Sequence, residues 1–167
     1  MAERNARTEL EALFPRLRDS GYVVTSDYDA EYNCVSYIAD DRRQRWEPEE
    51  RGGWYWPPHL PKNDFSLDNY VRCFEFLMFR RCDDGSFEEG VEKIAVFVDD
   101  DGEFSHVARQ LSDGWWSSKL GFYEDISHPA NELLFQGRPT RYGEHLCFMS
   151  RPRVEAGPGR SGLILLA

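Results

Sequence analysis

The first apolar residues of the chain recur at helical spacing. They are Leu10, Leu13, Phe14 and Leu17. Steps of three and four residues place side chains on one face of a helix. Pro15 falls inside this pattern, and proline removes a backbone donor and clashes with the preceding turn. The sequence therefore predicts a helix that ends early or kinks at Pro15.

Two further helices are predicted from their capping residues. Asn33 stands directly before a short apolar run, and asparagine is a favoured N-cap, so a helix is expected to begin near Asn33. Ser66 stands in the same way before residues 67–79, whose apolar positions are three and four apart. Between these helices, the highly charged segment 40–53 is expected to be an exposed loop. Segment 54–61, WYWPPHLP, contains prolines that exclude a helix.

Strand patterns dominate the second half of the chain. The run 93–98, KIAVFV, is apolar on both faces and is expected to be an interior strand. Turns that end in Asp-Gly separate it from 103–111 and separate that run from 115–119, which predicts a three-stranded antiparallel meander. Three more elements are expected: a strand over 80–82, a short helix near 129–135 and a last strand over 145–149.

This order of elements predicts an α+β fold, with N-terminal helices packed on an antiparallel meander. A chain of 167 residues suits one hydrophobic core, so we expect a single domain over 1–152 and a flexible tail over 153–167. The sequence has no apolar run of about 18 residues, which a membrane helix needs. Its N-terminus carries charges on both sides of any apolar stretch, unlike a secretory signal. We therefore expect a cytoplasmic protein.

The charge balance restricts the possible partners. The net charge is −10, from 30 acidic and 20 basic side chains. Such a chain is repelled by phosphate backbones and by anionic lipid headgroups. The basic clusters at 42–45 and 80–81 are followed at once by carboxylates, which cancel them within about one Debye length. We expect a protein or peptide partner, and neither nucleic acid nor a membrane.

Among the four cysteines, Cys34 has the most suggestive position. The cysteines form no CxxC pair and show no metal-ligand spacing, so we expect no metal site and no cofactor. Cys34 falls in the first turn of the helix that begins at Asn33, where amide N–H groups and the helix dipole favour a thiolate. The N–H groups at this helix start, near Asn33, are also candidates to stabilise an oxyanion. The alternative is that Cys34 is a small buried hydrophobic residue.

His106 lies on the second strand of the predicted meander. Strand alternation places it on one face with Phe104 and Ala108. A three-residue loop of sequence SDG sets Ser118 diagonal to His106 on that face, as a candidate orienting residue. A shift of one residue would present Ser117 and Lys119 instead, and Asp125 is a second candidate. The alternative for His106 is a hydrogen-bonded core histidine.

Three stretches carry a resemblance to known families: YNCVSYIAD at 32–40, EKIAVFVDDDGEFSHVARQLSDGWWSSKLG at 92–121, and EDISH at 124–128. The order of a cysteine at a helix start, a histidine on a strand and a polar residue on the next strand resembles papain-like and NlpC/P60-like cysteine hydrolases. The three stretches together resemble an uncharacterised bacterial family, a domain of unknown function, over about residues 14–152.

The resemblance implies a bacterial protein with a papain-like α+β fold. It implies that Cys34 is the nucleophile and His106 the general base, with Ser118 or Asp125 as the orienting residue. Papain-like enzymes carry Asn, Asp or His as the orienting residue, so Ser118 departs from their pattern. Their oxyanion donor stands several residues before the nucleophile, a position that Tyr28 occupies here.

Two functions remain open at this stage. The first is a hydrolase or acyl-transfer enzyme that acts on an amide or thioester, which requires the Cys34 sulfur within about 4 Å of a His106 ring nitrogen. The second is a catalytically silent protein- or peptide-binding module on the same scaffold. Large aromatic residues are typical of recognition surfaces, and the candidates are Trp54, Trp56 and Trp116. The alternative for segment 54–61, the aromatic loop, is a lid that packs over the core.

Overall fold

The computed structural model describes residues 5–135 and 142–154, and the rest of the predicted tail lies outside them. The helices are α1 (Ala6–Leu13), α2 (Cys34–Ile38) and α3 (Leu67–Phe76), with 3₁₀ helices η1 (Pro15–Leu17) and η2 (Asn131–Leu134). The strands are β1 (Val23–Val24), β2 (Arg80–Cys82), β3 (Val91–Val98), β4 (Phe104–Gln110), β5 (Trp116–Lys119), β6 (Asp125–His128) and β7 (His145–Pro152). In the described part of the chain, no helix is long and apolar enough to cross a membrane.

The strands of the described residues form one antiparallel sheet. Its order is β1-β6-β5-β4-β3-β7-β2, so β3 is an interior strand as predicted. The predicted three-stranded meander is confirmed and continues into β6. The prediction missed β6 because its four residues contain a single apolar side chain, Ile126. The mixed helices and antiparallel sheet confirm the α+β class.

The caps and breaks of the helices follow the sequence. Helix α1 ends at Leu13, and Pro15 opens η1. The Asn33 side chain accepts a hydrogen bond from the backbone N–H of Ser36, and the Ser36 hydroxyl accepts one from the N–H of Asn33, which completes a capping box. The Ser66 side chain caps α3 by accepting a hydrogen bond from the backbone N–H of Asn69. The predicted helix starts are therefore confirmed.

The register between β4 and β5 is the one that the three-residue loop predicts. The N–H of Leu111 donates to the carbonyl of Trp115 at 2.7 Å. Gly114 adopts φ +88°, a conformation that this tight loop requires and that glycine tolerates best. Ser118 therefore shares a face of the sheet with His106. The prediction is wrong for Phe104, because a register shift next to Val98 turns its ring to the other face.

Helices cover both faces of the sheet. On the α2 face, Ile94 and Val96 of β3 pack in one cluster with α2 and α3. On the α1 face, Ala95 and Phe97 pack in a second cluster with α1, η1 and η2. The N-terminal helices therefore pack on the antiparallel sheet as expected, α1 on one face and α2 with α3 on the other.

The aromatic loop is mainly a lid over the α2-face cluster. Trp56 is 3% exposed, and its ring lies edge-on to Tyr70 of α3, with centroids 5.2 Å apart. Leu60 is also buried, and so is Trp46 in the segment that we expected to be exposed. Trp116 is buried in the other cluster, on the α1 face. Of the three tryptophans proposed as binding residues, only Trp54 stays near the surface.

A buried carboxylate on the α2 face links the ends of two helices. Glu92 accepts hydrogen bonds from Nε of Arg109 and from Nε of Arg151, each at 2.9 Å. Arg109 also donates to the carbonyl of Ile38 at the end of α2. Arg151 donates to the carbonyl of Leu77 at the end of α3. One carboxylate thereby orients two guanidinium groups that satisfy carbonyls left open at helix ends.

Replacing Glu92 by glutamine should destabilise the fold by about 3 kcal/mol, because it leaves two largely buried cations without their shared counter-charge. Urea unfolding followed by circular dichroism measures this difference. The matched control is Asp68→Asn, whose carboxylate pairs with Arg72 on the exposed surface of α3. That control should cost less than about 0.5 kcal/mol. Equal losses of unfolding free energy in the two variants would show that the Glu92 network stabilises the fold no more than an exposed ion pair does.

Candidate functional site

The sheet separates the two residues of the predicted catalytic pair. Cys34 packs against the α2-face cluster and lies against the backbone of Val107. His106 points to the α1 face, where its ring lies edge-on to Phe97 and stacks on Tyr142 with centroids 4.2 Å apart. Consecutive strand residues point to opposite faces, so β4 itself stands between the thiol and the imidazole. The structure does not bring Cys34 and His106 together.

The surroundings of Cys34 favour a thiol over a thiolate. Burial raises the pKa of the Cys34 thiol to about 11, although a backbone hydrogen bond near Val107 opposes this rise. The nearby carboxylate of Glu47 raises the pKa further, and Arg45 lowers it. Cys34 does begin α2 as predicted, but α2 has only five residues. The position at the helix start is therefore confirmed without the activation expected from it.

Of the two predicted oxyanion donors, Asn33 has its backbone N–H bonded to the Ser36 hydroxyl at 2.8 Å, and Tyr28 lies on the surface. Nδ2 of Asn33 donates to the carbonyl of Trp46 at 3.0 Å and to a carboxylate oxygen of Glu47 at 3.3 Å. Its amide therefore fixes the loop after α2 and is not directed at an incoming oxyanion. Tyr28 is 51% exposed, and its ring lies edge-on to Tyr123. Its hydroxyl belongs to the surface loop that precedes α2.

On the α1 face, His106 takes part in a buried chain of hydrogen bonds. Oγ of Ser118 lies 3.1 Å from Nε2 of His106 and 2.8 Å from Nε2 of His128. Nδ1 of His128 lies 3.0 Å from the carbonyl oxygen of Ala130. His106, Ser118 and His128 are all fully buried. Strand alternation predicted that Ser118 lies beside His106, but His128 was not predicted there because β6 was missed.

The geometry assigns the protons along this chain. A carbonyl can only accept, so Nδ1 of His128 carries the proton and donates to Ala130. Nε2 of neutral His128 then accepts from the Ser118 hydroxyl, whose oxygen accepts from Nε2–H of His106. Nδ1 of His106 is left as a buried acceptor without a hydrogen-bond partner among the described residues. The tautomers follow from this network of contacts.

Ser118 and His128 have the hydrogen-bond order of a serine–histidine dyad, but their setting opposes catalysis. Burial lowers the pKa of His128 to about 4, and it lowers the pKa of His106 well below its ordinary value. An imidazole with such a pKa is a weak general base at neutral pH. Because His106, Ser118 and His128 are all fully buried, the arrangement fits a hydrogen-bonded network of the core.

Asp125 lies on the α2 face, so it does not orient His106. Its Oδ2 accepts a hydrogen bond from the hydroxyl of Tyr32 at 2.7 Å, and its Oδ1 lies 3.9 Å from Nζ of Lys119. Lys119 is 0% exposed and donates to the carbonyls of Asp29 and Tyr123. Burial lowers the pKa of Lys119 and raises that of Asp125. One buried ammonium thus joins the loop before α2 to the turn between β5 and β6.

A second cation fixes a third loop to the same turn. The guanidinium carbon of Arg45 lies 5.3 Å from the ring centroid of Trp54 and 4.8 Å from that of Phe122. Its Nη2 is 2.5 Å from a carboxylate oxygen of Glu47. Phe122 is 51% exposed. We call this surface the aromatic end of the sheet, and it consists of Tyr28, Arg45, Trp54, Phe122 and Tyr123.

The structure thus divides the predicted site residues into two groups. Those on the α2 face or at the aromatic end are Tyr28, Asn33, Cys34, Trp54, Trp56 and Asp125, and those on the α1 face are His106, Trp116 and Ser118. Sequence reasoning named Lys119 only as an alternative neighbour of His106 and Arg45 only as part of a basic cluster, and it missed the contacts that both make here. The sequence could have revealed the position of Lys119, because side chains alternate along a strand and a residue next to Ser118 must point to the other face. Within residues 5–135 and 142–154, no three His, Cys, Asp or Glu side chains gather closely enough to hold a metal ion.

Comparison with protein families identifies a model that matches most of the chain. Residues 23–150 match a family model described as "Domain of unknown function (DUF7689)". The chain belongs to this DUF7689 family. The expected membership of an uncharacterised domain family is confirmed. The matched range includes the aromatic end of this DUF7689 domain and the hydrogen bonds that link His106, Ser118 and His128, which we call the buried histidine chain. Comparisons with curated proteins and with solved structures gave no match, so the likeness to papain-like hydrolases has no counterpart there.

Alkylation rates test the state of Cys34 in the DUF7689 domain. Because burial raises its pKa to about 11, Cys34 should react with iodoacetamide at neutral pH no faster than Cys82, which is half-buried like Cys34 itself. Peptide mass spectrometry after timed labelling measures each rate, and labelling in urea shows that all four thiols can react. A Cys34 rate in the folded protein about tenfold above the other three would restore the nucleophile hypothesis.

The buried histidine chain should make stability depend on pH. An unfolded histidine binds a proton near pH 6.5, whereas folded His128 resists protonation until about pH 4. The stability that depends on neutral His128 is therefore complete above about pH 6.5 and is lost as the pH falls towards 4, by up to about 3 kcal/mol. Urea unfolding at several pH values should show a smaller loss for His128→Gln than for the wild type. The exposed His59→Gln is the control, and equal pH slopes for all three proteins would contradict the assignment.

Proposed function

We propose that this DUF7689 domain is a non-catalytic module that binds a protein or peptide partner through the aromatic end of its sheet. The observation that carries the proposal is the way in which two buried or partly buried cations hold exposed aromatic rings in place. Lys119 and Arg45 are those cations, and Tyr28 and Phe122 are the most exposed rings. Three separate loops contribute to this one surface.

Lys119 and Arg45 keep the aromatic end close to one conformation. Lys119 donates to one backbone carbonyl in each of two loops, so neither loop can move away without leaving a buried ammonium unsatisfied. Arg45 lies against rings from the third loop and from the β5–β6 turn, and Glu47 fixes its guanidinium. Side chains ordered before binding lose less entropy when a partner arrives. The geometry therefore suits recognition.

The composition of the surface points the same way. Tyr, Trp and Arg are enriched among the residues that dominate binding energy at protein interfaces. Each of these residue types occurs at the aromatic end, together with Phe122. Tyr28 and Phe122 each expose 51% of their surface, which is a large apolar area to leave in water. The net charge of −10 favours a protein or peptide over a polyanion as the partner.

The cysteine-hydrolase alternative receives less support. It requires Cys34 and His106 in one cleft, yet the sheet stands between them. The contacts of Ser118 with His106 and with His128 are both sealed within the core. A papain-like active site would need a nucleophile and a base on the same face. The binding hypothesis needs no rearrangement of the fold.

Peptide selection tests the proposed binding face. Peptides selected from a random phage library on the wild-type domain should lose about tenfold or more in affinity for the double variant Tyr28→Ala/Phe122→Ala, because both exposed anchors are removed. The matched control is Phe87→Ala, which removes a ring that is 48% exposed in the loop between β2 and β3. Selected peptides that bind the double variant as tightly as the wild type would refute the proposed face. Circular dichroism and urea unfolding confirm that each variant is folded.

A further inference from the structure

Carboxylates border the exposed rings of the aromatic end. Tyr28 lies between Asp27 and Asp29 in the sequence, and Glu31 follows two residues later. Asp27 and Glu31 are exposed, as is Tyr28 itself. The segment 27–31 contains no basic residue. A partner that contacts Tyr28 therefore also meets negative charge.

The cations near this surface are engaged within the domain. Lys119 is 0% exposed and donates to two backbone carbonyls. Arg45 is paired with Glu47, and only 17% of its side chain is exposed. Arg42 is more exposed, but it lies 5.5 Å from the ring centroid of Tyr32 and 3.9 Å from a carboxylate oxygen of Asp125. Apart from Arg42, whose side chain is 61% exposed, what segment 27–31 and Phe122 present to a partner is aromatic rings and carboxylates.

Rings and carboxylates together recognise cations. The face of an aromatic ring carries partial negative charge and attracts a guanidinium or an ammonium within about 6 Å. Carboxylates at the rim add attraction and set the orientation of the partner. At longer range, the net charge of −10 increases the encounter rate with basic molecules. The contacts at the surface and the net charge of the domain therefore both favour a cationic partner.

We infer that the partner of the aromatic end is a basic protein segment, whose arginine or lysine side chains stack on Tyr28 and Phe122 and pair with Asp27 and Glu31. This inference rests on the proposed function, because it names the chemistry of the ligand for the same face. Arginine suits the site better than lysine, since its planar guanidinium stacks on a ring while its edge donates to a carboxylate.

The probe is hexa-arginine amide carrying a fluorescent label, with labelled hexaglutamate as the opposite charge. Anisotropy titrations at low salt, about 50 mM, preserve the electrostatic contribution, and a repeat at about 300 mM measures screening. The wild type should bind hexa-arginine and not hexaglutamate. The variants Tyr28→Ala/Phe122→Ala and Asp27→Asn/Glu31→Gln should each weaken hexa-arginine binding about threefold to tenfold.

The loop between β2 and β3 supplies a control of the same composition. Asp83→Asn/Glu89→Gln removes the same two charges from exposed positions beside β2, at the opposite edge of the sheet from β1. Phe87→Ala removes one exposed ring from the same loop. Both control variants should bind hexa-arginine within about twofold of the wild type at the higher salt concentration, where unspecific attraction is screened.

Two outcomes would overturn the inference, and they are distinguishable from failure of the proposed function. An equal weakening by Asp83→Asn/Glu89→Gln and by Asp27→Asn/Glu31→Gln would mean that net charge alone binds the peptide. Binding of hexaglutamate that Tyr28→Ala/Phe122→Ala abolishes would mean that the face binds acidic ligands, which leaves the proposed function intact. The proposed function itself fails only if peptides selected on the domain bind the variant Tyr28→Ala/Phe122→Ala as tightly as the wild type.

Discussion

The carboxylate of Glu92 is the constraint on which the arrangement of the α2 face depends. It accepts one hydrogen bond from Arg109 and one from Arg151, and each guanidinium then donates to carbonyls at the end of a different helix. Charge-assisted bonds of this kind are strongly directional. Helix α2 has five residues and could not hold its place by propensity alone. Its C-terminal end is fixed by Arg109, and its first turn by the cap at Asn33.

The position of α2 also determines the position of the loop that follows it. Asn33 accepts from the N–H of Ser36 inside the helix and donates to the carbonyl of Trp46 in the following loop. Glu47, which Asn33 also contacts, pairs with Arg45. Arg45 in turn lies against Trp54 and Phe122. A chain of polar contacts therefore runs from the helix cap to the aromatic end without a break.

Strand parity explains why the sequence predicted the register well and the catalytic pair poorly. The loop length fixed which residues of β4 and β5 share a face, and the contact between His106 and Ser118 followed. Parity alone does not say which face a helix covers. A cysteine at a helix start and a histidine on a strand form a pair only if the helix packs on the face to which the histidine points. Here α2 packs on the other face.

Local signals account for most of the elements and for little of their packing. Caps at Asn33 and Ser66, the break at Pro15 and the apolar run of β3 each act within a few residues, so the sequence revealed them. Strand β7 pairs with β3 across about fifty residues, and no local pattern specifies that neighbour. The burial of Lys119 was equally hidden, because a lysine in a polar-looking strand end is usually solvated.

That burial is the strongest physical argument for an ordered recognition surface. Removing an ammonium from water costs several kcal/mol, and an apolar residue of similar volume would stabilise a core at least as well. What an ammonium provides instead is direction, since its N–H groups bind backbone carbonyls of Asp29 and Tyr123 at set positions. Those two residues belong to loops without regular structure, which have no ladder of backbone hydrogen bonds to position them. A buried cation that binds both loops therefore sets the spacing between Tyr28 and Phe122, and with it the shape of the proposed binding face.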